Sequence, residues 1–249
     1  MTFRADSMPF FRGQRPRVLA HRGLHTSAPE NTLGSFRAAV DAGVDYIETD
    51  IVASRDGFAM VSHDLMLDRV AGISAAVNTL SASELADVDL GGEGFITLEQ
   101  ALGEFPKTRF NIDVKDSGAI DGLVRAVEAT GAHDRVLVSS FSSSRRREAM
   151  RRLPGVATST TATEFLGVFA SARLGMTPRP ADQHAIQIPA RVGRLSTVTP
   201  ALVSRYHRAG LEVHVWTVNE PSEMRRLIDI GVDGIVTDRA DIALDIIHS

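Results

Sequence analysis

Glu48 and Asp50 stand two residues apart in the apolar run 44–51. On a strand, side chains at i and i+2 point to one face, so this spacing predicts two carboxylates side by side. A hard divalent cation would relieve their repulsion, because carboxylate oxygens are its preferred ligands. Pairing with Arg22, Lys115 or other cations would relieve it too, and spacing alone leaves both readings open. Asp113 and Lys115 repeat the i, i+2 relation in the next polar-tipped strand, where Asp113 could supply a third metal ligand.

His21 closes the apolar run Val18-Leu19-Ala20 and is followed by Arg22 and Gly23. A histidine exchanges protons near neutral pH and suits general acid or base work. An arginine suits bidentate phosphate binding. His63-Asp64 ends a further β-like segment, and a hairpin could return it to the same place. Taken singly, these motifs are no more specific than a packed or loop histidine. His25, His133, His207 and His248 read as loop, helix-end or terminal residues, and His214 as barrel packing beside Trp216. The Arg145-Arg146-Arg147 and Arg151-Arg152 clusters read as a solvated helix face, with no interleaved aromatics to stack on bases.

These residues need a scaffold, and the chain supplies a repeating one. Strand patterns at 17–20, 44–51, 109–114, 135–139, 156–160, 184–188, 212–217 and 233–237 alternate with helical patterns. The helices are expected near 31–42, 97–105, 119–130, 143–152, 163–172, 200–209 and 223–230, with another closing the chain. Alternation of this kind implies parallel strands with right-handed crossovers. No Gly-x-Gly-x-x-Gly follows the first strand, which favours an α/β (β/α)8 TIM barrel over a dinucleotide-binding sheet. The predicted domain is 17–249, after an N-terminal tail at 1–16. Residues 64–105 form an insertion or loop region, with a short helix capped by Ser81 and Glu84. In such a barrel, function gathers where strands end. His21, Glu48, Asp50, Asp113, Lys115, Trp216, Thr217, Asn219 and Asp238 all fall there.

With 249 residues, 43% hydrophobic, 23% charged and a net charge of -4, the chain reads as a globular protein of one barrel's length, without the basic excess of a nucleic-acid binder. The absence of cysteine excludes disulfides and thiolate chemistry. Residues 1–17 lack the apolar stretch of a signal peptide, and no run is long enough to span a bilayer. A cytoplasmic protein without stable membrane insertion is expected. Phe10-Phe11 is read as packed on the barrel rather than touching a membrane. The oligomeric state stays open, a homodimer included.

In order, His21-Arg22-Gly23, Pro29-Glu30-Asn31-Thr32, Glu48-Thr49-Asp50, His63-Asp64, Asn111-Ile112-Asp113-Val114-Lys115, Gln187-Ile188-Pro189 and the stretches 137–141, 213–219 and 231–238 resemble the glycerophosphodiester phosphodiesterase family. The resemblance runs from about residue 17 to 241. It implies a TIM barrel that hydrolyses glycerophosphodiesters to an alcohol and sn-glycerol 3-phosphate. It implies His21 and His63 as the acid–base pair, and Glu48, Asp50 and Asp113 as ligands of one Mg2+ or Ca2+. It implies Arg22 and Lys115 at the phosphate and Trp216 on the glycerol side. The family commonly carries Glu where this chain has the shorter Asp113. The alternatives are a lysophospholipase D-like enzyme, with Phe58, Met60, Leu65 and Met66 as an apolar groove, and a non-catalytic barrel that binds a phosphorylated ligand.

Overall fold

Strand β1, Arg17–His21, shows the alternation on which the molecule is built. Its even residues Val18 and Ala20 join a large apolar cluster shared with the surrounding helices. Its odd residue Leu19 joins a different cluster, with Tyr46, Leu137, Ala157, Ala185 and Val236. Side chains of a strand face opposite sides in turn, so the second cluster is the inside of a cylinder and the first is its jacket.

The computed structural model describes residues 5–248. Residues 1–4 of the expected tail, and Ser249, lie outside the described residues. The other barrel strands are β2 Tyr46–Ala53, β3 Arg109–Val114, β4 Val136–Ser139, β5 Ala157–Thr158, β6 Ala185–Ile188, β7 Glu212–Val215 and β8 Gly234–Thr237. Each strand is followed by a helix: α1 Leu33–Asp41, α2 Leu98–Glu104, α3 Ala119–Ala129, α4 Ser143–Arg152, α5 Ala162–Arg173, α6 Pro200–Arg208, α7 Pro221–Ile230 and α8 Ala240–His248. The strands pair in parallel in the order β5-β4-β3-β2-β1-β8-β7-β6. A parallel bridge from Ser159 to Ala185, with Thr160 N donating to Ala185 O at 2.9 Å, joins the two ends. The result is the expected (β/α)8 barrel, closed most thinly between β5 and β6.

Local signals start the helices where the barrel needs them. Thr32 with Ser35, Thr97 with Gln100 and Thr161 with Glu164 form reciprocal caps on α1, α2 and α5. Pro200 and Pro221 occupy the first turns of α6 and α7, where a missing N–H costs nothing. Among the described residues, no helix is long and apolar enough to cross a membrane.

The tail residues Phe10 and Phe11 are buried in the inner cluster, as the packed reading expected. They close the barrel floor. Phe10 meets Tyr46 edge-on with ring centroids 5.4 Å apart, and Tyr46 Oη donates to Phe10 O at 3.1 Å. Arg17 Nε donates to Tyr46 Oη at 3.0 Å, and Arg17 forms an ion pair with Glu212 at 3.1 Å.

Past β2 the chain turns back through an antiparallel arm, Ala59–Val61, whose Val61 lies opposite Ile51. This arm returns His63 to the mouth. The segment after it carries short helical pieces at Asp68–Ala71, Val77–Thr79 and Ala82–Ala86, the last capped by Ser81 and Glu84. They enclose a small core of Val52, Met60, Leu67, Val77, Leu85, Val88, Leu90 and Phe95. Met60 is therefore packing, whereas Phe58, Leu65 and Met66 remain exposed.

The solvated reading of the arginine cluster fails at Arg146, which is buried. It shares the inner face of α4 with Ala149, and its guanidinium bonds Glu164 at 2.8 Å and Asp182 at 3.0 Å. Three consecutive residues span about 200° of a helix, so Arg146 can face inward while its neighbours face out, and two carboxylates meet it there.

Gly122 of α3 presses on the arm: a Cβ there would lie 2.3 Å from Ala59 N. Gly122→Ala is expected to cost about 1–3 kcal/mol through overpacking. A thermal melt should register this as a drop of several degrees, and an unchanged melting temperature would contradict the close packing.

Candidate active site

The inward positions of the strands, carried one step past the inner apolar cluster, bring chemistry to the mouth. His21, Glu48, Asp50, Asn111, Asp113, Lys115, Ser139, Ser159, Gln187 and Trp216 line one cavity of about 380 Å3, joined by Arg22 and His63 from the loops. All eight residues singled out from the sequence are therefore in one place.

Strand register fixes the acidic cluster. Asp50 lies directly across from Asp113, and Glu48 from Asn111. Lys115 Nζ sits between the two aspartates, 2.8 Å from Asp50 Oδ1 and 2.8 Å from Asp113 Oδ2. Burial, and then the neighbouring Asp50 and Asp113, push the Glu48 carboxyl well above its ordinary range. Burial also raises Asp113, against the pull of Lys115. Burial works to lower Lys115, but the two aspartates outweigh it and hold the ammonium charged. Two oxygens remain buried without a hydrogen-bond partner, Glu48 Oε2 and Asp50 Oδ2. Among the described residues, no group of three or more acidic or histidine side chains already stands as a metal cage. Lys115 fills the space between the aspartates instead.

Arg22 has a left-handed backbone, φ 57°, followed by Gly23 at φ 85°. This conformation is disfavoured for a side chain with a Cβ. It is held by Arg22 N donating to Glu48 O at 2.8 Å and by Asn31 N donating to Arg22 O at 2.9 Å. Gly23 is required because a Cβ there would lie 2.6 Å from Ser35 Oγ. The turn leaves the Arg22 guanidinium between Glu30, at 3.1 Å, and Asp50, at 3.5 Å.

Each histidine has its own carboxylate. His21 Nδ1 lies 2.6 Å from Asp238 Oδ1, with Nε2 3.9 Å from Glu48. His63 Nδ1 lies 2.7 Å from Asp64 Oδ1. Asp238 is steadied by Asn219 Nδ2 at 2.7 Å and by His25 Nε2 at 3.3 Å. Hydrogen bonds from His21 and His25 hold the Asp238 carboxyl far below the usual carboxylate range, and the bond to Asp238 raises His25. Asp64 is gripped by Arg69 at 2.5 Å, and Arg69 also reaches Glu30 at 2.5 Å. Trp216 meets Phe141 edge-on at 6.0 Å, and the Lys115 ammonium lies 5.9 Å from the Phe141 ring centre.

The sequence reading put Asp238 and Asn219 at the strand ends and Asp64 beside His63 but gave them no role, read His25 as a loop residue, and missed Arg69. Asp238 was readable: it continues the inward parity of Gly234 and Val236 at the end of β8. Arg69 carries no local signal, because it reaches the site from an irregular segment.

A family model described as the glycerophosphoryl diester phosphodiesterase family matches residues 21–242. The chain belongs to that family. As a member of the glycerophosphoryl diester phosphodiesterase family, it is a phosphoric diester hydrolase. It is 40% identical to a probable glycerophosphodiester phosphodiesterase 2 of Mycobacterium tuberculosis, over 98% of this chain and 95% of that one. A human lysophospholipase D is 25% identical, with 93% and 86% covered. Among solved structures, an Oleispira antarctica phosphodiesterase in complex with the product sn-glycerol-3-phosphate superposes with a TM-score of 0.79 at 25% identity, covering 94% of this chain and 97% of that one.

If Asp238 orients His21, Asp238→Asn should lower kcat by about 10²-fold or more, the scale of a general acid–base contribution, and leave KM within a few-fold. Steady-state kinetics that show an unchanged kcat would remove Asp238 from the site.

Proposed function

We propose that the protein is a cytoplasmic enzyme that hydrolyses glycerophosphodiesters to an alcohol and sn-glycerol 3-phosphate, aided by one divalent cation, Mg2+ or Ca2+. The observation that carries this reading is a single cavity lined by two carboxylate-anchored histidines, by Arg22 and Lys115 held on a cluster of acids, and by acid oxygens that lack a hydrogen bond. With Nδ1 of His21 and of His63 each tied to a carboxylate, Nε2 is the atom left to exchange protons. One histidine takes the proton of the nucleophile, which is water or the substrate's own glycerol hydroxyl. The other delivers a proton to the departing alkoxide. Arg22 and Lys115 face the phosphoryl oxygens and balance the charge that grows there. Trp216 lines the glycerol side.

The buried oxygens of Glu48 and Asp50 without partners are what a cation would satisfy. Glu48, Asp50 and Asp113 are the residues to hold it. Bound there, it would supply Lewis-acid charge to the phosphate. A second reading, hydrolysis of lysophospholipids, is favoured by the human relative and by the exposed Leu65 and Met66 beside His63. The M. tuberculosis relative at 40% identity favours the first.

His21→Ala and His63→Ala should each lower turnover of glycerophosphocholine by about 10²–10⁴-fold while melting like the parent. Near-normal turnover in either variant removes that histidine from the mechanism.

The raised Glu48 gives a separate test. A carboxyl whose folded-state pKa is raised favours the fold when protonated and loses that contribution as pH rises through its folded value. At neutral pH the raised group therefore opposes folding, whether it carries its charge or takes up a proton to avoid it. Glu48→Gln in chelator should melt a few degrees higher than the parent at pH 7, and the gap should close at acid pH. Added Mg2+ or Ca2+ should raise the melting temperature of the parent and not of the variant. Equal metal shifts in both proteins would count against the assigned ligands.

A further inference from the structure

One stretch of the chain differs from the rest in charge. Residues 165–211 hold six arginines, Arg173, Arg179, Arg191, Arg194, Arg205 and Arg208, against one acid, Asp182, in a chain whose net charge is -4. Asp182 is already bound by Arg146 at 3.0 Å. None of the six arginines has an ion-pair partner among the described residues. Glu223 feels the charge of Arg191 but is held by Arg226 at 2.6 Å. The same stretch carries five of the ten large apolar side chains that are at least 40% exposed among the described residues: Leu166, Leu174, Met176, Val192 and Leu195. Single exposed apolar residues are ordinary, but their concentration within a stretch of one charge marks a contact surface.

Two elements present this surface. The outer row of α5, Leu166, Ala170 and the capping Leu174, repeats every four residues and is exposed, where a barrel helix ordinarily turns polar groups outward. Beside it runs the row Phe165, Phe169 and Arg173. The two rings stack at 5.5 Å, and the Arg173 guanidinium lies 6.0 Å from the Phe169 ring centre. Past β6 the chain makes a small antiparallel hairpin, with Arg191 opposite Ser196 and Val192 opposite Leu195. Gly193 opens its two-residue turn at φ 57°, which a tight hairpin asks of a glycine at that place. Val192 and Leu195 are therefore a cross-strand pair on one face, 47% and 49% exposed, with exposed Arg191 and Arg194 beside them. Both elements border the mouth: Phe165 of α5 and Pro189, just before the hairpin, line the same cavity as the site residues.

We propose that the hairpin at 191–196 and the outer row of α5 dock the protein reversibly on an anionic phospholipid surface. Apolar side chains at a hairpin tip enter the boundary between headgroups and acyl chains, while arginines lay their stems along it and keep their charged ends among the phosphates. A second copy of this chain fits the surface less well. A two-fold contact lays a patch on itself, so arginine would face arginine with no free acid in the stretch to separate them. Nucleic acid would answer the arginines and leave the exposed leucines in water. The docking goes beyond the diesterase reading and does not depend on it.

Vesicle sedimentation tests the docking without turnover. The full chain should bind vesicles of phosphatidylcholine with about one-third phosphatidylglycerol at least about tenfold more tightly than vesicles of phosphatidylcholine alone, and added salt should weaken the binding. Val192→Ser/Leu195→Ser and Arg191→Gln/Arg194→Gln should each lower binding to the anionic vesicles by about tenfold or more. Both variants should melt like the parent and hydrolyse soluble glycerophosphocholine at its rate. Arg37→Gln/Arg55→Gln, the same change of charge at α1 and at the turn into the hairpin arm, should lose less than about threefold. Binding to neither kind of vesicle, equal binding to both, or equal losses from the two arginine pairs would overturn the proposal. So would a dimer in analytical ultracentrifugation that Leu195→Ser dissolves while vesicles go unbound, which would give the surface to a second copy. Vesicle binding without hydrolysis of any glycerophosphodiester would uphold the docking and sink the diesterase reading.

Discussion

Three carboxylates buried side by side against too little positive charge set the terms for the whole mouth. Neighbouring strands lie about 4.8 Å apart, so register leaves Asp50 and Asp113 no room to separate. Lys115, two residues past Asp113, reaches back between them and binds both. Arg22 approaches Asp50 from the other side and is shared with Glu30. Both cations are committed to the aspartates, so the uncompensated charge falls on Glu48, whose carboxyl is pushed up by burial and by its neighbours. The closed ladder of parallel strands is what keeps this arrangement from relaxing.

The two histidines are built into the same frame by different means. His21 leans on Asp238, which is fixed by a neutral amide, Asn219, and by a second histidine. His63 leans on Asp64, which is fixed by a cation, Arg69. Arg69 also holds Glu30, and Glu30 holds Arg22. A chain of ion pairs therefore runs from the irregular segment after the hairpin arm, through His63's anchor, to the arginine proposed to meet the phosphate. That segment is more than a cover on the barrel, since its small core positions the base of this chain.

What was legible in the sequence follows one physical rule. Period two is exact along a strand, so Glu48 with Asp50, and Asp113 with Lys115, declared a common face before any coordinates. Asp238 obeys the same parity, but a lone acid after a strand has the bland reading of a solvated turn. Arg146 reads as surface because its partners Glu164 and Asp182 lie 18 and 36 residues away, and nothing local marks an arginine whose charge is met across helices. Arg69 fails for the same reason. Local periodicity carries the fold and the strand-borne part of the site; long-range pairing carries the rest.

The two ends of the barrel separate structural charge from functional charge. At the floor, Arg15 and Arg17 face Glu212 and Asp233, with contacts of 2.8 Å, 3.1 Å and 3.4 Å, and Phe10 and Phe11 seal the interior beside them. Arg15 and Arg17 meet Glu212, Asp233 and Asp6 there, and His207 and His214 bond Asp233 and Glu212, so each carboxylate of the cluster has a partner. At the mouth, Glu48, Asp50 and Asp113 share Lys115 and part of Arg22, His21 stands 3.9 Å from Glu48, and an oxygen each of Glu48 and Asp50 stays without a hydrogen bond. Breaking a balanced buried pair is costly and filling an unbalanced one is favourable. Burial and ionic character are common to both ends, so neither distinguishes them. The remainder does: charge that cancels within the fold holds the barrel together, and charge left over at the mouth is what a ligand completes.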